Sequence, residues 1–298
     1  CPAPPITLEE KQALTRLLLA AGANINELNA VRKHCSLFKG GRLAQAASPA
    51  PVLALIVSDV IGDPLDVIAS GPTAPDQTTY ADALAILDRF GLRAKAPGAV
   101  VEHLERGARG EIPETHKAAD PIFRRVQNRV IGNNSFVVEA AVREAEALGF
   151  RVSFVTSALR GEAREVAKEY CGLAAAVTPP ACLIAGGETT VTVKGKGVGG
   201  RCQEFALAAA LGIQGMEDVL VLAAGTDGTD GLTDAAGALA DGNTITKATR
   251  RNLDAHASLE ANDSYRFFSD LGDLITTGPT NTNLLDLYLL LVGPLPSG

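Results

Sequence analysis

The stretch ACLIAGGETTVTVKGKGVGGRCQE, Ala181 to Glu204, sets out the fold in the order of its residue types. Ala181 to Ala185 is a short apolar run stopped by Gly186-Gly187, the pattern of a buried strand. Thr189 to Val193 then alternates polar and apolar, as a strand exposed on one face does. The glycine-rich turn Gly195 to Gly200 ends at Arg201, where a helix opens. Strands closed by glycine turns and followed by helices predict an α/β architecture.

The same rhythm extends both ways. Downstream, Val219 to Ala223 is another buried run, and Ile275 and Tyr288 to Val292 mark later strands. Upstream, Arg129 to Gly132 leads into an amphipathic helix ending near Leu148-Gly149. Val152 to Val155 reads as the next strand, and a helix covers 162–176. This alternation predicts a mostly parallel sheet with right-handed crossovers. Nearer the start, Thr7 and Glu10 form a capping box before Leu14, Leu17, Leu18 and Ala21 at helical spacing, with Gly22 ending the run. Asn24 with Glu27 repeats that logic for a second helix through Val31. Val52 to Val57 is a continuous aliphatic run, expected to be a strand buried on both faces, and a helix is expected from Tyr80 to Phe90. Gly107 to Pro121 is polar and charged, with two prolines, and reads as a linker. The length allows one large domain or two ordinary ones, and a division at this segment gives 1–124 and 125–298; there are no internal repeats or low-complexity tracts.

Composition narrows the function classes. Apolar residues make up 46% of the 298, enough for a real core, while aromatic residues make up 4% and Trp is absent. Small aliphatic side chains therefore build the interior, as where helices lie close on a sheet. The net charge of −7 and the lack of a basic run exclude a general nucleic-acid binder. The five cysteines have no C-x-x-C spacing, which points to a reducing compartment. No stretch of about 18 or more apolar residues is present, so no membrane span is expected. The opening Cys1-Pro2-Ala3-Pro4-Pro5 reads as a truncation point or processed end.

Five polar, glycine-rich segments can carry chemistry, most of them after a predicted strand, where open α/β sheets bind ligands. Asn29 to Arg42 holds Arg32, Lys33, Lys39 and Arg42 beside Gly40 and Gly41. Such a segment suits a phosphate or carboxylate, or is a solvated basic helix end with a glycine cap. Asp59, in Ser58 to Asp63, can hold Mg²⁺, act as a base, or cap the following turn. Ser70-Gly71-Pro72-Thr73 reads as a rigid turn. Gly186-Gly187-Glu188-Thr189 and Gly195 to Glu204 follow. The second contains G-x-G-x-x-G, but Glu217 and Asp218 precede the next strand instead of ending it, so the dinucleotide match is weak. What remains is a flexible anion loop with Gly199, Gly200 and Arg201 at a helix N-terminus, or a glycine hairpin with a surface Arg. Gly225 to Gly231 presents Asp227 and Asp230 as a metal or phosphate-edge loop, or as an Asx-turn. The four His, at 34, 103, 116 and 256, lie apart, which disfavours a His-based metal site. No P-loop or protein-kinase signature is present.

In this order, NAVRKHCSLFKGGRLA (29–44), SDVIGDPLDVIASGPT (58–73), GGETTV (186–191), GGRCQE (199–204), GTDGTDG (225–231), AAGA (235–238) and TGPTNTN (277–283) resemble the glycerate kinases of the MOFRL/DUF4147 family, whose C-terminal part is called the MOFRL domain. The resemblance covers nearly the whole chain. It implies two α/β domains, the first Rossmann-like and incomplete here, and an ATP- and Mg²⁺-dependent kinase converting D-glycerate to phosphoglycerate, expected to be 2-phosphoglycerate. It points to Arg201 and Asp59 as catalytic. Arg201 would take the transferring phosphoryl group, and Asp59 the substrate hydroxyl or the metal. Arg32, Lys33, Lys39, Gly40, Gly41, Glu188, Gly199 and Gly200 would bind substrate or phosphate, and Asp227 and Asp230 metal or nucleotide. The partners implied are glycerate and ATP, with a homodimer as the candidate assembly and neither nucleic acid nor membrane. The compartment expected is the cytoplasm, with the mitochondrion as alternative. The alternative functions are an NAD(P)-dependent hydroxypyruvate reductase and an inactive truncated homologue. The sequence departs from the family at Cys202 for Asn, Cys35 for Leu and Asn281 for Gly. The family's SGGGSA loop and an earlier catalytic Lys lie ahead of the segment that begins here, so the chain is expected to lack part of its nucleotide or substrate site.

Overall fold

The computed structural model describes residues 1–294. Contacts divide the chain into two units, Cys1–Ile56 with Asp63–Ile131, and Val57–Gly62 with the chain from Gly132. The first unit runs through Ile131, beyond the expected boundary at 124, because its last strand is tied back into it. Asn128 accepts from the Thr73 hydroxyl at 2.6 Å and donates to the Thr73 carbonyl at 3.2 Å.

The first unit contains α1 (Leu8–Ala20), α2 (Ile25–His34), α3 (Arg42–Ala47), α4 (Tyr80–Arg89), α5 (Gly98–Ala108) and all but the last residue of each of β1 (Val52–Val57) and β2 (Val126–Gly132). Both expected capping boxes form: Thr7 with Glu10 opens α1, and Asn24 with Glu27 opens α2. A side-chain cap of this kind contributes about 1 kcal/mol. The second helix runs on to His34, three residues past Val31. The apolar stripes of α1, α2, α4 and α5 meet at Leu18, Val31, Tyr80, Leu87 and Leu104. Gly107 is required there, because a Cβ would lie 2.3 Å from the Tyr80 ring.

Two expectations fail in this unit. Val52–Val57 is not buried on both faces. Among the described residues it pairs only with β2, and burial alternates, leaving Leu53 and Leu55 each 60% exposed. A continuous aliphatic run records hydrophobicity, not how many layers cover it. Nor is Gly107–Pro121 a linker. Glu114 accepts from His34 at 2.8 Å and from the Tyr80 amide at 2.9 Å, and Asp76 N donates to His116 O at 2.8 Å. Charged residues in this proline-containing segment are here half-buried partners of the helices.

The second unit contains α6 (Asn134–Ala147), β3 (Arg151–Glu162), α7 (Ala163–Gly172), β4 (Ala181–Thr190), α8 (Arg201–Gly212), β5 (Val219–Gly225), β6 (Gly237–Asp241), α9 (Thr244–Arg250), α10 (Ala255–Glu260), α11 (Ser264–Leu271), β7 (Leu274–Ile275) and β8 (Asp286–Val292). Its six-stranded sheet has the order β3-β4-β8-β5-β6-β7. The expectation of a mostly parallel sheet holds for strand direction, since β3, β4, β5 and β7 point one way. It does not hold for neighbours, since β8 and β6 run against them and only β3 and β4 pair in parallel. The alternating register of β4 sends Cys182 and Ile184 toward α6, and Leu183 and Ala185 toward α7 and α8. Buried helix α8 carries Phe205, whose full burial stabilises by roughly 2–3 kcal/mol, and a run of alanines that lets α7 approach closely. The low aromatic content is thus how the layers fit.

Candidate active site

The glycine turn after β4 delivers Arg201 to the first position of α8. Its guanidinium is gripped on two edges. Nε and Nη2 donate to Asp286 at 2.6 and 3.0 Å, and Nη1 donates to Glu188 at 2.7 Å. Asp286 opens β8, is 1% exposed, and accepts from the Tyr288 hydroxyl at 2.9 Å, which lies 3.0 Å from Thr189 Oγ1. Burial works against the Arg201 charge, but the Asp286 hydrogen bonds and the charges of Asp286 and Glu188 outweigh it and hold the guanidinium pKa above its ordinary value. Arg201 therefore stays cationic and fixed in direction.

One wall of Arg201 faces a cavity of about 650 Å³ that Glu188, Gly199, Gly200, Asp227 and Asp230 also line. Six of the expected site residues thus meet in one place. Asp230 reaches it indirectly. Its two oxygens accept from the Cys202 and Gln203 amides at 3.1 and 2.8 Å, capping α8 from a distant loop. Burial pushes its carboxyl up to about 6, against those amide bonds and with help from the Asp286 charge. Asp227 accepts from the Thr229 amide at 3.0 Å, an Asx-turn, which engages one of its oxygens.

The expected flexible anion loop is tied to the chain around Asn262 by its own amides. Lys194 and Gly195 amides donate to Asn262 Oδ1, the Val198 amide to Asp263, and the Gly197 amide to Ala261 O. The glycines serve close packing: a Cβ on Gly200 would lie 2.2 Å from Asp230 Cγ. Within G-x-G-x-x-G the Gly195, Gly197 and Val198 amides are thus engaged by protein, which weakens the dinucleotide reading further. Cys202 is fully buried beneath Arg201, and burial, then Asp286 and Asp230, push its thiol well above the ordinary range. It packs in the core, so the exchange from Asn takes no amide away from the cavity. Cys35 likewise lies in the core of the first unit, where Leu would pack. Asn281 has φ 60°, a conformation Asn tolerates better than most residues, so it replaces Gly without strain of the usual size.

The remaining expected residues lie elsewhere. Asp59 is exposed in the loop after β1 and is not among the described residues lining this cavity. In the first unit, Lys33 is buried against Asp76 at 3.2 Å and Asp66 at 3.4 Å. The Gly40 and Gly41 amides donate to Ser70 O and Gly71 O, so they are not open to an anion. Arg32 is half-buried. Lys39 donates to Ala69 O at 2.6 Å, and burial, then Arg32 and Lys11, lower its amine to about 8. Among the described residues, no group of three or more His, Cys, Asp or Glu is arranged for a metal ion, and no helix is long and apolar enough to cross a membrane. Sequence reasoning missed Asp286 and Tyr288. Their one signal is an acid just ahead of the run Tyr288 to Val292.

Two family models match, the DUF4147 domain of unknown function over residues 1–105 and the MOFRL family over residues 181–286. The chain is 43% identical to a glycerate 2-kinase of Pyrococcus horikoshii, covering 96% of this chain and 66% of that protein. It is 44% identical to a D-glycerate 2-kinase of Thermotoga maritima, covering 96% and 67%. A glycerate kinase of Danio rerio is 40% identical, with 99% and 68% covered. The chain thus spans about two thirds of the length of these curated relatives. The crystal structure of a Thermotoga maritima glycerate kinase superposes with a TM-score of 0.89 at 42% identity, over 98% of this chain and 69% of that one. Identity at this level across nearly every residue, on the same fold, has one meaning: the chain belongs to the glycerate kinase family.

Proposed function

We propose that this chain carries the Arg201 half of a D-glycerate kinase. A glycerate hydroxyl attacks the γ-phosphorus of ATP, its proton passes to solvent, the bond to the β-phosphate oxygen breaks, and phosphoglycerate and ADP leave. The 2-hydroxyl is the acceptor we favour, following the names of the Pyrococcus and Thermotoga relatives. The observation that carries the reading is the Arg201 guanidinium, fixed by Asp286 on the wall of a 650 Å³ cavity. Phosphoryl transfer asks for placement and charge neutralisation more than covalent chemistry, and a pre-oriented guanidinium supplies both.

Mg²⁺ is bound in kinases through one or two carboxylates plus phosphate oxygens. Asp227 and Glu188 fit that donor set, being carboxylates on the cavity wall. Asp230 does not, because both its oxygens hold the start of α8. When bound, the ion would neutralise phosphate charge in a cavity where Arg201 is the single lining cation among the described residues. Asp59 is proposed to orient the substrate hydroxyl, and Lys39 and Arg32 to serve anionic oxygens. Lys33, Gly40 and Gly41 are left to structural work. The partners proposed are the small molecules glycerate and ATP, and the compartment proposed is the cytoplasm, with the mitochondrion as the alternative.

The test is ADP release with MgATP and D-glycerate by a protein that joins this chain to the upstream segment of its relatives. Glycerate-dependent release is expected, falling roughly 10²–10³-fold in Arg201→Lys, which keeps the charge and loses the fork. Unchanged turnover in that variant, or nicotinamide oxidation with hydroxypyruvate, would remove the reading.

A further inference from the structure

The two carboxylates on Arg201 are not equivalent. Asp286 takes the Nε–Nη2 edge with both oxygens, is 1% exposed, and is held from behind by Tyr288. Glu188 takes Nη1 with one oxygen, its side chain is 44% exposed, and it lines the cavity. The backbone before Glu188 is fixed: Gly187 has φ 150°, and a Cβ there would lie 2.1 Å from Leu159 O. Any movement must therefore come from the Glu188 side chain.

Two carboxylates against one guanidinium leave a surplus negative charge where an anionic ligand would have to bind. We propose that Glu188 is a built-in stand-in for the anionic ligand, closing the cavity-facing edge of Arg201 in the free protein and yielding it when an anion arrives, while Asp286 keeps the other edge throughout. The carboxylate prevents Arg201 from swinging or binding solutes loosely, and only a ligand offering more than one oxygen displaces it. Glu188 thereby sets a threshold of charge and denticity, favouring a phosphate over a monocarboxylate at this edge.

The inference rests on Arg201 as the anion-binding residue but not on which reaction follows. Inorganic phosphate is titrated into the chain and into Glu188→Gln, following the Arg201 guanidinium Nη resonances, assigned by their loss in Arg201→Lys. Removing a like charge at contact distance is expected to tighten phosphate binding roughly 5- to 10-fold. Glu188→Ala should tighten it as well, since charge and not shape is at issue. Equal or weaker binding in both variants, or tighter binding that leaves the Arg201 resonances unmoved, overturns the proposal. Tighter binding at Arg201 without glycerate-dependent ADP formation, when the chain is joined to the upstream segment of its relatives, would uphold the stand-in and discard the kinase reaction.

Discussion

In the first unit Lys33 sits between Asp76, fully buried, and Asp66, 42% exposed; in the second Arg201 sits between Asp286, 1% exposed, and Glu188, 44% exposed. Each is a cation held by one sunken and one open carboxylate. The cations differ in access: the Lys33 side chain is 4% exposed, whereas that of Arg201 is 34% exposed and lines a cavity. The Lys33 cluster neutralises charge inside a helical core, and the Arg201 cluster keeps charge available at a surface. Paired glycines beside each cation do not tell them apart, because in both places most of their amides are engaged or their Cα atoms tightly packed.

Removing each cation gives the largest effects and tests this contrast directly. Arg201→Ala strands the buried Asp286 charge, so a loss of about 3–5 kcal/mol in denaturant unfolding is expected. Adding Asp286→Asn should restore most of it, a coupling that a double-mutant cycle measures. Lys33→Ala strands Asp76, which keeps its bonds from the Thr78 amide and hydroxyl, so about 2–4 kcal/mol is expected. Phosphate affinity at Arg201 should not change with Lys33→Ala; a change would erase the distinction drawn here.

The buried acids of the two units also titrate in opposite senses. For Asp76, burial raises the pKa, but the Thr78 bonds and the Lys33 and His34 charges prevail and the carboxyl lies below its usual value. Its stabilising contribution is present above the unfolded pKa and lost as pH falls through the folded one. For Asp230 the folded value is raised to about 6, so the folded state binds the proton more tightly. Stability from this group is full below about pH 4 and lost as pH rises through about 6. Comparing the wild type with Asp230→Asn in urea at pH 4 and pH 7 should show the wild type losing on the order of 2–3 kcal/mol relative to the variant. A constant difference would mean that the α8 cap is not titrating.

Backbone constraint comes next in size. Gly41 has φ 78°, and a Cβ would approach Phe123 Cζ to 2.8 Å, so Gly41→Ala should cost about 1–3 kcal/mol. The smallest effect leaves stability alone. With its amine near 8, Lys39 should be about half neutral at pH 8, against under about 1% for an ordinary lysine. Mass-spectrometric acylation rates at pH 8 should therefore put Lys39 well ahead of Lys95 and Lys168.

Local rules were legible where one segment decides the outcome. The capping boxes at Thr7 and Asn24, the helix opening at Arg201 and the strand beginning at Ala181 each depend on neighbours in the chain. What escaped depends on partners far away. Val52–Val57 looks like a central strand until its uncovered face is seen, and Glu114 looks like part of a linker until His34 meets it. The candidate site divides in the same way. Arg201 and Glu188 stand out by type and glycine context, whereas Asp286 is one acid ahead of an apolar run, 85 positions from the guanidinium it grips. The lost Asn at Cys202 mattered less than its place in the motif suggested, because that side chain turns inward.

The position of β8 bears on how the protein is made. This strand comes after every other strand of its sheet in the sequence, yet it is threaded between β4 and β5. Until the ribosome has released Val292, a nascent chain holds two apolar strands with facing edges unpaired, and Arg201 without Asp286. Such edges invite pairing with other chains, so chaperone occupancy during synthesis should be long and the binding pocket should form last.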